Sequence, residues 1–163
     1  MKIRPFQESD WDALWPVIKP IFRAGETYPY PTDIDQRQTR QHWITAPAQT
    51  FVATSEENDM LASYYIKPNQ PGQGSHVCNC GYIVAERTRG QGIAARLCEH
   101  SQQQAVAMGF RAMQYNLVVS TNKSAVYLWQ KMGFDVIGVL PRAFNSPTAG
   151  YVDALVMYKI LTA

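Results

Sequence analysis

Apolar residues first recur at helical spacing in "WDALWPVIKPIFRAG", where Trp11, Leu14, Trp15 and Ile18 fall on one face. Ser9 or Asp10 is placed to cap that helix, Gly25 to end it, and Pro16 and Pro20 are expected to bend it or cut it short. Residues 2–6, "KIRPF", read as a short edge strand. "ETYPYPT" is a proline-rich aromatic loop, after which Thr32 or Asp33 can cap a second helix through "DIDQRQTRQHWI". The period then changes to two: "TFVAT" and "MLASYYIKP" alternate around the turn "SEEND", and "PNQPGQGS" leads into a third strand, "HVCNCGYIVA". Three consecutive strands predict an antiparallel meander.

A longer helix follows, with Ile93, Leu97, Ser101, Ala105 and Met108 on one face and Gly109 where a left-handed cap is wanted. "RAMQYNLVV" is a strand. Ser120, Thr121 or Asn122 then caps a short helix that turns Ala125, Leu128 and Met132 inward and stops at Gly133. Two last strands, "FDVIGVL" and "YVDALVMYKI", flank the loop "PRAFNSPTAG". The order β-α-α-β-β-β-α-β-α-β-β predicts an α/β (α+β) chain, a mixed and mostly antiparallel sheet with helices on both faces, forming a single domain over 1–163.

Composition narrows the function classes. A chain of 163 residues, 46% hydrophobic and 12% aromatic, can bury a real core. Its 15 basic and 13 acidic residues are interspersed and leave a net charge of +2, so no concentrated basic face argues for nucleic acid. The start, "MKIRPFQESD", is charged, and no stretch approaches the ~18 apolar residues of a membrane span. A cytoplasmic protein is expected. Cys78, Cys80 and Cys98 read as reduced core or strand residues, and with His76 they make at best an incomplete metal set, so no metal is expected.

The chemistry concentrates at "VAERTRGQGIAARL", residues 84–97. Gly90 and Gly92 let the backbone approach a guest closely, and the helix beginning near Ile93 turns unpaired N–H groups to the same spot, a place for an anion. A dinucleotide fingerprint would open the fold and find an acidic residue some 20 positions on, but "QYNLVVS" supplies none. A phosphate-binding loop of the Walker type would continue Gly-Lys-Ser/Thr, and this one does not.

The run Arg89-Gly90-Gln91-Gly92-Ile93-Ala94 between a strand and a long helix resembles the acetyl-CoA loop of the GCN5-related N-acetyltransferase (GNAT) family. "NKSAVYLWQKMGF" is similar to that family's Asn, two residues, Ala, two residues, Leu-Tyr segment, and the two stand at the usual distance. The resemblance is nearest to the phosphinothricin acetyltransferase-like, small-molecule members. It implies that Arg89, Gly90, Gln91, Gly92, Ile93 and Ala94 hold the pyrophosphate of acetyl-CoA as cosubstrate, with charge from Arg87 and Arg89. Val84 would offer its backbone to the pantetheine arm between two splayed strands. Asn122 would cap its helix and touch the coenzyme.

The acceptor implied is a primary amine of a small, amino-acid-like molecule, with no nucleic-acid or membrane partner and with a homodimer left open. Glu26 would draw in the ammonium, while Tyr28 and Tyr30 wall off water on the side away from the coenzyme, and Arg142 and Phe144 line the same pocket. Two positions depart from the family. Asn79 stands about where relatives carry a glutamate base, and Trp129 replaces the tyrosine acid; Tyr127, about 200° around the helix, cannot substitute. His76, Glu26 or a water relay is left to take the proton. The competing readings are Nα-acetylation of a peptide or protein and a non-catalytic coenzyme A-binding module.

Overall fold

One seven-stranded sheet, in the order β1-β2-β3-β4-β5-β7-β6, organises the chain. The computed structural model describes residues 1–162. The elements are β1 (Lys2–Pro5), α1 (Trp11–Ala24), α2 (Gln36–Arg40), β2 (Gln49–Thr54), β3 (Met60–Pro68), β4 (Val77–Val84), α3 (Ile93–Ala107), β5 (Ala112–Val119), α4 (Lys123–Lys131), β6 (Asp135–Ser146) and β7 (Gly150–Ile160). Every neighbouring pair is antiparallel except β4 and β5. The expected element order and mixed sheet are observed.

Strand alternation divides the interior in two. Ala62, Tyr64 and Ile66 of β3 pack with Cys78 and Cys80 of β4 against Leu97, Cys98 and Ala105 of α3 and Trp129 of α4. The intervening side chains, among them Val52, Tyr65 and Ile83, pack against Leu14, Ile18 and Phe22 of α1 and against Trp43. Burial on both faces corrects the simple alternation expected of these strands: β2 to β4 are buried almost continuously along their lengths.

Several local expectations are corrected. Pro16 and Pro20 neither break nor shorten α1, which is continuous through both. They lie four residues apart on the exposed face, so the carbonyls that lose a donor turn to water. Asp10 is not a conventional cap: the helical turn begins at Glu8, and the buried Asp10 carboxylate accepts the Gln7 N–H at 2.8 Å and both Arg4 guanidinium nitrogens at 2.7 Å. Neither Thr32 nor Asp33 caps α2. Asp35 does, accepting from the Gln38 N–H at 2.7 Å, and the helix widens after Arg40 into a π-type turn, Gln41–Thr45, that brings Trp43 into the core. The segment after Leu140 is strand rather than loop; β6 absorbs Pro141 and Arg142 as an irregularity, Arg142 taking φ 53°, and pairs on to Ser146.

Candidate functional site

The two parallel strands pair only over Val77–Asn79 and Ala112–Gln114 and then separate. Asn79 sits at the fork. Its Nδ2 donates to the Gln114 carbonyl at 3.0 Å, and its Oδ1 accepts from the Tyr65 hydroxyl at 3.2 Å, so a side chain finishes the ladder where the backbone abandons it. Tyr65 lies across Gly81, where a Cβ would come within 2.6 Å of the ring; only glycine lets the ring settle there. The Asn69 N–H bonds the Val77 carbonyl and the Ala85 N–H bonds the Leu61 carbonyl, so odd-numbered positions of β4 face β3. Tyr82 and Val84 therefore turn their main-chain groups into the gap. The Tyr28 hydroxyl reaches in and donates to the Tyr82 carbonyl at 2.8 Å.

Two connected cavities fill the gap. The larger, about 860 Å³, runs between the turn after β4 and the start of α4, and is lined by Val84, Arg89, Gly90, Gly92, Ile93 and Ala94 on one side and by Asn122 and Trp129 on the other. The smaller, about 360 Å³, is walled by Tyr28, Tyr30 and Tyr65 and floored by Lys67, Asn79 and Asn116. They share Thr27, Tyr82, Val84, Arg89, Asn122 and Trp129. The Thr27 Oγ1, at that junction, is buried without a hydrogen-bond partner.

The glycine turn has the geometry an anion needs. Gly90 and Gly92 take φ of 80° and 75°, and a Cβ at either would point into open space. Gly92 is the residue before α3, whose first N–H groups face the larger cavity. Gln91 is exposed between the glycines. Arg87 does not add its charge here as expected: its guanidinium donates to the Met60 carbonyl at 3.0 Å, and Arg89 is the arginine that lines the cavity. Asn122 caps α4, its Oδ1 accepting from the Ala125 N–H at 3.3 Å and the Ser124 hydroxyl at 3.0 Å, while it borders both cavities.

Trp129 plugs the inner wall, with ring centroids 4.9 Å from Tyr82 and 5.1 Å from Tyr115. Tyr127, 70% exposed, lines neither cavity. Tyr127→Phe is therefore expected to change any turnover at this site by less than about twofold. Progress curves on the purified variant check this.

The structure does not bring His76 to the site. It precedes β4, at the end remote from the glycine turn, exposed, with its ring nitrogen on the Gln73 carbonyl at 3.0 Å. Arg142 also lines neither cavity; its N–H donates to Asp153 and its guanidinium stands 5.6 Å from the Tyr151 ring centroid. Phe144 is buried in β6, away from both. Tyr28 and Tyr30 do wall the smaller cavity, stacked with centroids 6.0 Å apart and packed on Phe22, and burial pushes both phenols up. Glu26 borders the larger cavity instead of the smaller. Its carboxylate accepts from the Ser146 hydroxyl at 2.6 Å and the Thr148 hydroxyl at 2.8 Å, bonds that hold it below the usual carboxylate range and make it a poor base.

Tyr65, Lys67, Tyr82, Tyr115 and Asn116 belong to the site and were not singled out from the sequence. The phase of alternation carried the signal, since Tyr65 and Lys67 share one face of β3. Among the described residues no cluster of three His, Cys, Asp or Glu side chains is arranged to hold a metal. Among the described residues no helix is long and apolar enough to cross a membrane.

A family model described as "Acetyltransferase (GNAT) family" matches residues 11–134. The chain is 30% identical over 148 residues to N-acetyltransferase aca1 of Schizosaccharomyces pombe, an overlap of 81% of this chain and 71% of that one. Among solved structures, a GCN5-related N-acetyltransferase from Kribbella flavida superposes with TM-score 0.92 at 41% identity, covering 98% of this chain and 96% of its own. A GNAT superfamily phosphinothricin acetyltransferase from Sinorhizobium meliloti, in complex with AcCoA, shares the fold with TM-score 0.88 at 16% identity, over 99% of this chain and 88% of its own.

Proposed function

Because this chain belongs to the GNAT family of acetyl-CoA-dependent N-acetyltransferases, we propose that it acetylates a primary amine of a small molecule that enters the 360 Å³ cavity and meets the thioester at the fork. The observation that carries this reading is the pair of cavities joined at Tyr82, Val84 and Trp129, one shaped for an anionic chain and one closed by aromatic rings. The larger cavity fits the coenzyme on three counts. Two glycines leave open the space a side chain would fill, the N-terminus of α3 and Arg89 border the cavity where they would meet the pyrophosphate, and the partnerless Thr27 hydroxyl would be free to bond a polar ligand. The coenzyme supplies an activated acetyl group and a stable thiol leaving group.

This chain's own residues then orient, shield and exclude. Val84 lies along the gap, Tyr28 and Tyr30 keep bulk water from the acceptor, and Trp129 packs the wall without offering an acid. No carboxylate or histidine lines the smaller cavity, and Asn79 is occupied with Gln114 and Tyr65. The amine therefore reacts as the free base. Its nitrogen bonds to the acetyl carbon, the carbon–sulfur bond breaks, and the nitrogen's proton leaves through water. A thiol of pKa about 8.5 departs tolerably as thiolate.

Two measurements test the proposal. Acetyl-CoA should bind in calorimetry, and a panel of small amines should include some that release free thiol; binding without any thiol release would favour a coenzyme-binding module. With an active amine, log kcat/KM should rise with unit slope toward the amine's own pKa. A plateau beginning near pH 6 to 7 would reveal an enzymic base instead.

Glu26 is proposed to tie the aromatic loop to the turn after β6, where Gly25 already packs against Pro147. Glu26→Gln keeps one of the two acceptor oxygens. It is expected to raise the acceptor KM and the acetyl-CoA Kd together, each about two- to fivefold, because the loop borders both cavities. A change confined to kcat would return Glu26 to the chemistry.

A further inference from the structure

Among the described residues the Thr27 Oγ1 is the one buried side-chain oxygen or nitrogen without a hydrogen-bond partner. Its neighbours on both sides are tied down: the Glu26 carboxylate accepts from the Ser146 and Thr148 hydroxyls, and the Tyr28 hydroxyl donates to the Tyr82 carbonyl at 2.8 Å. Thr27 between them borders both cavities, together with Tyr82, Val84 and Trp129. A buried hydroxyl left unpaired costs stability, so one fixed at the junction of two cavities is explained by a ligand that pairs it. Threonine carries two heavy atoms on Cβ, and a turn about χ1 exchanges methyl for hydroxyl at the wall, which brings the oxygen to whatever fills the junction.

Two ligands would meet there, the arm of the coenzyme and the acceptor amine. The main-chain groups of Val84 are turned into the gap and are available to the arm. The amine has less choice. No aspartate, glutamate or histidine lines the smaller cavity, and the side-chain amide oxygens that do are taken, Asn79 Oδ1 by the Tyr65 hydroxyl, Asn116 Oδ1 by the Gln114 amide and Asn122 Oδ1 by the Ala125 N–H. We infer that the Thr27 hydroxyl accepts an N–H of the acceptor amine at the fork and so aims the nitrogen lone pair at the thioester carbon. The inference rests on the acetyltransferase reading above. As the nitrogen bonds to the acetyl carbon it gains positive charge and its N–H becomes a stronger donor, so the bond to Thr27 tightens in the transition state. Thr27 holds the N–H without taking the proton, which leaves through water.

Thr27→Val keeps the shape of the side chain and removes the oxygen. The variant should melt no lower than wild type, because the orphaned hydroxyl is gone. Its kcat/KM for an amine that the wild-type protein acetylates should fall about tenfold, through kcat more than KM, while the acetyl-CoA Kd stays within about twofold. Thr27→Ser retains the hydroxyl and should keep kcat/KM within about threefold of wild type. Unchanged turnover in Thr27→Val overturns the assignment, as does a melting temperature several degrees lower that Thr27→Ser restores, which would make the hydroxyl structural. A rise in acetyl-CoA Kd that matches the loss of kcat/KM also overturns it and gives the hydroxyl to the coenzyme's arm. Each of these results leaves the acetyltransferase reading standing. Acetyl-CoA binding by the wild-type protein with no amine of any class acetylated overturns both.

Discussion

Gly92→Val is expected to weaken acetyl-CoA binding at least about a hundredfold, equivalent to roughly 2.7 kcal/mol. Two effects combine. Gly92 holds φ at 75°, which a β-branched residue adopts only under strain, and the added side chain would project into the open space of the larger cavity where the pyrophosphate approaches the backbone. The two are separable with Gly109→Val. Gly109, past the other end of α3, has φ 89° and equally open space, so it carries a similar backbone strain with no role at the cavity. Both variants should lose stability to a similar degree in urea melts, and Gly92→Val alone should lose the coenzyme in calorimetry. Equal loss of affinity in both would mean that strain, not the cradle, is being measured.

The cradle was legible in the sequence because it is local: a strand, two glycines and a helix start lie within one short run, and each has a compositional mark. The element order was legible for the same reason, through period changes and glycine exits such as Gly109 and Gly133. What escaped depended on surroundings. Pro16 and Pro20 are breakers by composition, and only their exposure on one face of α1 makes them tolerable. Arg142 was placed in a loop because proline and arginine there suggest one, while pairing with β7 continues across them to Ser146. Lys67 looks like a solvated strand end until the fork opens a cavity beside it. His76 was attractive as a titrating group on the right strand, yet it sits before the first residue of β4, and the strand's whole length separates it from the glycine turn.

Asn79 shows how far a single position can matter, and Asn79→Asp should expose its role. The substitution is nearly isosteric, but it removes the donor that meets the Gln114 carbonyl and places carboxylate oxygen against carbonyl oxygen at a position only 7% exposed. The Tyr65 hydroxyl can still donate to the other oxygen, which offsets part of the cost. The aspartate's folded-state pKa should therefore be raised above its unfolded value of about 3.9, since only the protonated acid can donate to Gln114. For a group raised on folding, the stability it contributes is complete below the unfolded pKa and is lost as pH rises through the folded pKa. Urea unfolding should accordingly show the variant close to wild type near pH 4 and about 3 kcal/mol less stable at pH 8, with the gap widening between. Acceptor KM should rise over the same range, because the fork positions Tyr65 and the floor of the smaller cavity, while acetyl-CoA affinity should change less. A stability difference independent of pH would mean that Asn79 does not hold the fork through that donor, and that the separation of β4 from β5 is set elsewhere.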